Sequence, residues 1–337
     1  MINLISDTVT KPTAEMLAFM MKAEVGDDVF GQDPSINKLE SYVAGLFGKE
    51  NALFCPSGTM TNQIAIKCHT QPLDEVICDH YSHVYQYETG GYAFNSGVAV
   101  NLIAGINGKI TVDQVEAAIK PVFDWLPISK LVVLENSCNK GGGSYYTLDE
   151  IAPITQLCKE RGLKLHLDGA RLFNVLVETK EDTLDVGKHF DSISICFSKG
   201  LGAPVGSLLI GDKDLIAQAR RYRKVMGGGM RQAGFLAAAC LFALKNQRTR
   251  LKDDNDKARE IGKLLEEQSY VKSVRPVKTN IVIFDLADGQ KADPFLDKLK
   301  SKGILAVAFG PETIRFVTHL DYTNEMHIDV LNTLKGL

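Results

Sequence analysis

A single lysine stands in a segment that is otherwise apolar or rich in glycine. Residues 192–206 read SISICFSKGLGAPVG, so Lys199 follows an apolar run and precedes a loop with few side chains. Lysine is mostly exposed in folded proteins, and one interpretation is that Lys199 marks the point where a strand reaches the surface. The other is a nucleophilic amine that forms a Schiff base with a carbonyl compound.

An aspartate ends a second apolar run. In HLDGAR, Asp168 closes the predicted strand Leu163–Asp168 and stands three residues before Arg171. Ligands of open α/β sheets bind beyond the carboxyl ends of the strands, so Asp168 is a candidate contact for a cationic ligand group. A buried carboxylate without a partner costs several kcal/mol. An internal Asp168–Arg171 pair is therefore the alternative.

The segment CPSGTMTNQIAI is a candidate phosphate site. Ser57, Gly58 and Thr59 precede a helical pattern that is predicted to begin near Asn62. The free N–H groups at the start of a helix favour phosphate, although the same residues also form ordinary helix caps. The segment matches neither the P-loop nor the G-x-G-x-x-G motif, which excludes those nucleotide-binding loops.

The segment CDHYSHVYQYE contains histidines that suit either of two ligands. Asp79, His80 and His83 suggest a metal site, but no second carboxylate stands at a useful spacing. We therefore favour His83 as a ring that stacks on a planar ligand and predict no metal. A histidine that is simply buried and hydrogen-bonded is the structural alternative for each residue.

The segment ARRYRKVMGGGMRQAG combines basic residues with three consecutive glycines. Its cluster Arg220–Lys224 predicts a helix face that is partly exposed to solvent. Each glycine costs about 1 kcal/mol in a helix, so the run 227–229 predicts a close backbone approach to another subunit or to an anion.

Together these residue types match one class of ligand. An aldehyde cofactor with a phosphate and a basic ring nitrogen needs a lysine, an acid, backbone amides and a flat partner. Lys199, Asp168, Gly58–Thr59 and His83 supply these groups, and the sequence therefore predicts pyridoxal 5'-phosphate (PLP).

The elements that position these residues alternate along the chain. Strand-like and helix-like patterns follow one another from about residue 50 to 245, which predicts an α/β fold with a mostly parallel sheet flanked by helices. A smaller α+β domain follows. We predict a large PLP-binding domain at 31–247, a small C-terminal domain at 248–337, and an N-terminal segment at 1–30 that packs on the small domain or a neighbouring subunit.

The composition is that of an ordinary soluble protein, with 45% hydrophobic and 23% charged residues. The net charge of -3 gives no general reason to bind nucleic acid. There is no apolar run of about 18 residues and no basic start typical of a secretory signal, so we expect a cytoplasmic enzyme without membrane contact. Seven cysteines without a C-x-x-C motif are predicted to be buried residues in a reducing compartment.

Eight motifs, in order along nearly the whole chain, resemble the threonine aldolases of the low-specificity L-threonine branch. The motifs are SDTVTKPT, VGDDVFGQDP, PSGTMTNQ, SHVYQYETGG, HLDGARLFN, SKGLGAPVGSLL, GGGMRQAG and RFVTH. The resemblance implies a PLP-dependent transferase-like fold (fold type I) and cleavage of L-threonine or L-allo-threonine to glycine and acetaldehyde. It further implies a homodimer or homotetramer with active sites at the subunit interface.

The resemblance also implies a role for each matching residue. Lys199 would bind the cofactor covalently, Asp168 would pair with the ring nitrogen, and His83 would stack on the ring. An ordinary histidine pKa of about 6.5 also makes His83 our candidate base, directly or through a water. The other cofactor contacts would be Gly58, Thr59, Arg171, Ser198 and, from an adjoining subunit, Lys224 and Arg231. The amino-acid substrate would contact Ser6, Tyr87, Arg171 and Arg315.

Three other functions stay open from the sequence. The same scaffold could support β-elimination or racemisation of a small amino acid. A metal-binding protein with Lys199 on its surface and a nucleic-acid-binding protein that uses Arg220–Lys224 are alternatives from other classes. The chain also departs from the family at Cys138, where a histidine is common, so the preference between threonine and allo-threonine is not predicted.

Overall fold

The computed structural model describes residues 1–337, which form thirteen strands and fourteen α-helices. The strands are β1 (Ile2–Asn3), β2 (Asn51–Cys55), β3 (Asp74–Asp79), β4 (Ala99–Ile103), β5 (Ile128–Glu135), β6 (Lys164–Gly169), β7 (Ser192–Cys196), β8 (Ser207–Gly211), β9 (Val271–Val274), β10 (Ile281–Leu286), β11 (Ile304–Leu305), β12 (Val307–Ala308) and β13 (Thr313–Val317). The helices are α1 (Ala14–Met20), α2 (Pro34–Leu46), α3 (Gly58–His69), α4 (His83–Gln86), α5 (Gly91–Ser96), α6 (Val112–Ala118), α7 (Leu148–Arg161), α8 (Leu172–Thr179), α9 (Thr183–His189), α10 (Lys213–Val225), α11 (Gly234–Asn246), α12 (Leu251–Glu266), α13 (Ala292–Ser301) and α14 (Asn324–Lys335).

The largest sheet has seven strands in the order β2-β8-β7-β6-β5-β3-β4. All of its strands run in the same direction except β8, which is antiparallel to both of its neighbours. The prediction of a mostly parallel sheet flanked by helices is confirmed. Six strands therefore end at the same side of the sheet, which we call the carboxyl edge.

Burial on both faces explains the apolar sequences of the central strands. Every residue of β7 and β8 is buried, and 42 buried residues form one continuous core between this sheet and its helices. The covering helices carry clear end signals. In α7, for example, Thr147 and Glu150 form a capping box, and Gly162 ends the helix at a φ of +67°.

A second, four-stranded antiparallel sheet has the order β12-β13-β10-β9 and packs on a separate core of 17 buried residues. The first strand of the chain, β1, pairs in parallel with β11, and Leu4 is buried in this second core. The N-terminal residues thus pack on the C-terminal part of the chain. The domain limits 1–30, 31–247 and 248–337 stay predictions.

One helix begins earlier than its sequence pattern suggested. The pattern placed the start near Asn62, whereas α3 begins at Gly58 and is capped by the Ser57 hydroxyl, which accepts a hydrogen bond from the Met60 N–H at 3.2 Å. The first turn contains small polar residues without apolar periodicity, which is why the pattern missed it. No helix combines the length and the apolar character that crossing a bilayer requires.

Candidate active site

Polar residues that end or follow five of the six strands with a common direction stand at the carboxyl edge. The residues that end or follow these strands are Ser57–Thr59 after β2, Asp79 in β3, Glu135 in β5, Asp168 in β6 and Lys199 after β7. The sheet order places β2 and β3 on either side of the central strands. The fold therefore brings the sequence-predicted amine, acid and phosphate-binding turn to one edge.

Lys199 follows β7 by three residues and is partly buried. Its ammonium forms no ion pair or hydrogen bond with any protein group. The loop around it is tight, because the Gly202 N–H donates to the Lys199 carbonyl at 2.8 Å and Arg250 donates to the Gly200 carbonyl at 3.2 Å. An amine without a protein partner is thus fixed at the sheet edge.

Asp168 is a buried carboxylate with no cationic protein partner. Its side chain is 2% exposed and accepts hydrogen bonds from Asn62 Nδ2 at 2.8 Å and from the Ala170 N–H at 3.2 Å. The alternative pair with Arg171 is wrong, because Arg171 binds Asp7 instead. A buried anion with only amide donors leaves room for a cationic ligand atom.

A second buried carboxyl group, Glu135, lies beside Asp168 across the β5–β6 pair. It accepts hydrogen bonds from the backbone N–H groups of His83 and Asn139, each at 2.9 Å. Burial, with a further contribution from the charge of Asp168, raises the pKa of Glu135 to about 7. This end of the sheet is therefore crowded with negative charge.

His83 at the start of α4 is oriented by a carboxylate. Its Nδ1 lies 2.9 Å from Glu88, which also accepts hydrogen bonds from the side-chain amides of Asn62 at 2.9 Å and Gln63 at 2.5 Å. Burial opposes protonation of His83, but the hydrogen bond to Glu88 and the charge of Asp168 outweigh it and raise the pKa of His83. Nδ1 must carry the hydrogen, so Nε2 is free to face a ligand. The half-exposed Tyr87 ring lies 5.5 Å from the His83 ring.

Arg171 is held by a bidentate ion pair with Asp7. Its Nε and Nη2 atoms each lie 2.7 Å from an Asp7 oxygen, and both side chains are buried. Burial alone would raise the pKa of Asp7, but the charge and hydrogen bonds of Arg171 lower it to about 2. Asn280 also donates to Asp7, at 3.1 Å. Arg171 Nη1 has no protein partner and is the atom left for a ligand.

Arg315 on β13 reaches the same region from the C-terminal part of the chain. Its Nη1 donates to Asn139 Oδ1 at 2.8 Å and its Nη2 to the Ile5 carbonyl at 3.0 Å, while its buried Nε has no partner. Burial and the nearby charge of Arg171 lower the pKa of Arg315 to about 10, so it stays cationic at neutral pH. Ser6 precedes the 3-10 turn Asp7–Val9 and accepts a hydrogen bond from the Thr8 N–H at 3.2 Å.

The first turn of α3 offers two free backbone donors. The N–H groups of Gly58 and Thr59 donate to no protein acceptor. A Cβ atom at Gly58 would lie 2.5 Å from the Cys196 Sγ, so only glycine fits this close approach. Ser198 follows Cys196 by two residues and belongs to the same edge. The turn has the free donors that a phosphate group requires.

Lys224 and Arg231 were predicted to contact the phosphate from an adjoining subunit, and within one chain they do not reach this turn. Lys224 is exposed, and Arg231 pairs with Asp27 at 2.9 Å. The prediction of a partly solvated basic face is confirmed, because Arg221 and Lys224 are exposed while Arg223 is not. Arg223 is buried and binds Asp28 at 2.6 Å, because α10 packs this side chain against the loop around that aspartate.

The metal hypothesis based on Asp79, His80 and His83 does not match the geometry, because these three side chains do not form a cluster. A different set, His83, Glu88 and Asp168, has ligand atoms within 4.8 Å of one another. The Asn62 amide nitrogen already donates to Glu88 and Asp168 together, which places N–H groups where a cation would have to lie.

The donor set fits PLP in three respects. Lys199 is a partly buried amine without a partner, and Asp168 is a buried anion without a cation. The two free N–H groups of α3 suit a phosphate. A cationic ring nitrogen would also relieve the repulsion between the neighbouring carboxylates Asp168 and Glu135.

Asp7→Asn should destabilise the protein by about 3–5 kcal/mol, because it leaves the Arg171 charge buried without a counterion. The free energy of unfolding in urea at pH 7 measures this loss. The Asp7 pKa of about 2 lies below its usual 3.8, so the stabilisation is complete above pH 3.8 and is lost as the pH falls through 2. The variant should lack this acid dependence. Asp288→Asn, at an exposed pair with Lys272, should leave the free energy of unfolding essentially unchanged, because solvent screens this pair. A similar loss in both variants would contradict the role of Asp7.

The residues that orient the predicted site residues were not predicted from the sequence. The missed residues are Asp7, Asn62, Glu88, Glu135, Asn139 and Asn280. Three of them, Asp7, Asn62 and Glu88, stand inside motifs that the sequence analysis quoted, and Glu135 ends an apolar run as Asp168 does, so their polar character there was the available signal. Asn139 and Asn280 gave no such signal, because their roles depend on partners far away in the chain.

Comparison with known proteins places the chain among lyases. The family model for beta-eliminating lyases matches residues 3–289. The low specificity L-threonine aldolase of Escherichia coli (strain K12) is 40% identical over 331 residues, which cover 98% of this chain and 97% of that protein. Low-specificity L-threonine aldolase 1 of Arabidopsis thaliana is 38% identical over 329 residues, which cover 96% and 92%.

A solved structure has the same architecture. The threonine aldolase of Leishmania major matches with a TM-score of 0.84 and 24% identity, and the match covers 100% of this chain and 99% of that chain. At this level of identity the likeness concerns the fold. It confirms the predicted fold class.

Proposed function

The chain belongs to the beta-eliminating lyase family and to the low-specificity L-threonine aldolases, and on that basis we propose that it is a PLP-dependent carbon–carbon lyase. Its reaction is the retro-aldol cleavage of L-threonine, L-allo-threonine and similar β-hydroxy-α-amino acids to glycine and an aldehyde. One structural observation supports this most directly. An unpaired amine, Lys199, and an unpaired buried carboxylate, Asp168, end neighbouring strands beside a helix start with free N–H groups.

Different residues of the chain would bind different parts of the cofactor. Lys199 would bind it covalently, Asp168 would keep its ring nitrogen protonated, and Gly58, Thr59 and Ser198 would hold its phosphate. When bound, PLP supplies an aldehyde for amines and a ring that accepts the electron pair of a broken bond. His83 would lie against the face of that ring.

The substrate carboxylate would be held by two arginines. Arg171 offers its free Nη1, and Arg315 approaches from β13. A guanidinium suits a carboxylate because its N–H groups form a planar fork. Ser6 and Tyr87 would complete the contacts to the amino acid.

His83 would take the proton of the substrate's β-hydroxyl group at Nε2. The O–H electrons then form the carbonyl bond of the leaving aldehyde, and the Cα–Cβ bond breaks. A proton is later returned to Cα to give glycine. The Glu88 carboxylate keeps the hydrogen on Nδ1 and stabilises the imidazolium that forms.

Cys138 does not replace a histidine as a base. Its thiol is fully buried, and burial with the charge of Glu135 raises its pKa well above the usual value. A neutral thiol neither accepts the hydroxyl proton nor donates a strong hydrogen bond. We therefore propose that His83 alone supplies the base for both threonine and allo-threonine.

Assembly and location belong to the same proposal. A homodimer or homotetramer would allow the exposed Lys224 and Arg231 of one subunit to reach the phosphate of the next. Exposed apolar side chains beside them, Phe30 at 72% and Val225 at 79%, support an interface on this face. Seven free cysteines, with no disulfide, support a reducing cytoplasm.

The experiment that tests the function is separate incubation of the purified protein with L-threonine and L-allo-threonine. Equal amounts of acetaldehyde and glycine are expected from each. Ammonia with a 2-oxo acid would indicate β-elimination, and inversion at Cα without cleavage would indicate racemisation. Either of these results as the main reaction would overturn the proposal.

Glu88→Gln should move the acid limb of the kcat/KM profile to lower pH. The carboxylate raises the His83 pKa, and His83 acts as a base when neutral, so loss of the carboxylate lets His83 lose its proton at lower pH. Initial rates between pH 5 and pH 8 measure this shift.

His83→Ala provides the companion measurement for this pH profile. This variant should lower kcat about a hundredfold with cofactor still bound, and the acid limb should disappear. If the acid limb of the kcat/KM profile does not move in Glu88→Gln, then Glu88 does not control the pKa of the base.

A further inference from the structure

Asn62 joins two of the buried carboxylates at the site. Its Nδ2 donates to Asp168 Oδ2 at 2.8 Å and to Glu88 Oε1 at 2.9 Å, and its Oδ1 lies 3.1 Å from His166 Nε2. His166 is fully buried on β6, two residues before Asp168. The amide thus connects the carboxylates with an imidazole behind them.

The connection continues to the far end of α3. His166 Nδ1 lies 2.8 Å from Ser192 Oγ, and Ser192 Oγ lies 2.7 Å from His69 Nε2. His166 and Ser192 are directly opposed on β6 and β7, while Asn62 and His69 stand seven residues apart on one face of α3. We call the side chains of His69, Ser192, His166 and Asn62 the Asn62 relay.

The donor and the acceptor of each hydrogen bond in the relay can be assigned, and all of these bonds run in the same direction. Carboxylates only accept, so Asn62 must turn its NH₂ group to them and its carbonyl to His166. Nε2 of His166 must then donate. Burial lowers the pKa of His166 to about 3, so the ring is neutral and its Nδ1 accepts from the Ser192 hydroxyl.

The last link follows from the same reasoning. The Ser192 oxygen accepts from His69 Nε2, since burial lowers the pKa of His69 to about 4 and keeps it neutral with one N–H. In every hydrogen bond of the relay, the donor is therefore the group farther from Asp168 and Glu88. Chains with a common direction polarise one another and strengthen the final donor.

Stability does not explain this arrangement. Apolar side chains of the same shape in place of buried hydrogen-bonded polar groups are often neutral or stabilising. The relay lies between α3 and the large sheet, beside two mainly apolar clusters and a second buried polar pair, Thr61 and Ser194. Only one end of the relay contacts charged groups, the carboxylates of Asp168 and Glu88 at the site.

We propose that His166 is a positioning residue that acts through Asn62 to keep Asp168 ionised, so that the proton shared with the cofactor ring resides on the ring nitrogen. The inference rests on the proposed PLP-dependent function. Glu88, Glu135 and Asp168 lie close together, and without a strong donor Asp168 would compete for that proton. A protonated ring is the better electron acceptor for cleavage.

The test compares His166→Leu, which removes the donor, with His166→Gln, whose amide nitrogen can take the place of Nε2. In His166→Leu we expect kcat to fall about tenfold, with KM changed less than about twofold. The ¹⁵N chemical shift of ring-labelled PLP bound to this variant should move toward the neutral ring. His166→Gln should stay near the wild type in both measurements.

His327→Leu is the matched control, because His327 is also buried and makes two side-chain hydrogen bonds, to Tyr322 and Glu260, outside the site. It should leave kcat and the ¹⁵N shift unchanged. If His166→Leu does not fold, Ser192→Ala should show a smaller shift in the same direction. An unchanged ¹⁵N shift in the folded variants, or equal impairment of His166→Gln and His166→Leu, would overturn the relay. A wild-type protein that neither binds PLP nor cleaves threonine would instead overturn the proposed function.

Discussion

Lys199→Ala is expected to give a folded protein with no measurable cleavage of L-threonine and without the visible absorbance of lysine-bound PLP. The reason is geometric as well as chemical. Lys199 is the one amine that follows the central strand β7 at the carboxyl edge, and no protein group competes for it. Absorbance spectra before and after borohydride, together with an acetaldehyde assay, measure both effects.

Lys213→Ala is the control for Lys199→Ala. Lys213 is exposed at the start of α10 and lies outside the site, so this variant should keep full activity and absorbance. Circular dichroism should show the same folded state for both variants. Turnover or cofactor absorbance that survives in Lys199→Ala would remove this residue from the mechanism.

Asp168→Asn is expected to lower kcat by about a hundred- to a thousandfold. Asparagine fills the same volume but carries no charge, so the cofactor ring would lose the anion that keeps its nitrogen protonated. Removal of a preorganised electrostatic partner in a water-poor site has effects of this size. Steady-state kinetics with L-threonine measure the change.

Two further results would support the assignment of Asp168. KM should change much less than kcat, because Asp168 does not contact the substrate carboxylate. Asp191→Asn, at the opposite edge of the same sheet, should keep wild-type kcat, since Asp191 binds Lys164 and the Leu165 N–H away from the site. A kcat of Asp168→Asn within a few fold of the wild type would contradict the role of the charge.

The sequence predicted the fold and the common location of the main candidate site residues because both depend on local patterns. Lys199 and Asp168 each follow an apolar run, and parallel strands bring such ends to a common edge. The start of α3 showed its capping residues, even though its first turn was missed. These features need only a few neighbouring residues to be recognised.

The partners of the site residues were not predictable in the same way. Arg171 has an aspartate three residues away in sequence, yet it binds Asp7, which is 164 residues away. A sequence shows which charges exist and does not show which of them the fold makes neighbours. The antiparallel direction of β8 was also not predicted, although the connection 197–206 between β7 and β8 is shorter than the crossover that parallel neighbours require.

The pairing of β1 with β11 bears on how the protein is made on the ribosome. The strand partner of Ile2–Asn3, Ile304–Leu305, is synthesised about 300 residues later. At about 5–20 residues per second, translation of that interval takes about 15–60 seconds. The large sheet can form during this time, whereas β1 cannot pair until β11 has been synthesised. The contact of Arg315 with the Ile5 carbonyl is therefore made only after Arg315 has been synthesised, so the proposed substrate pocket is incomplete until then.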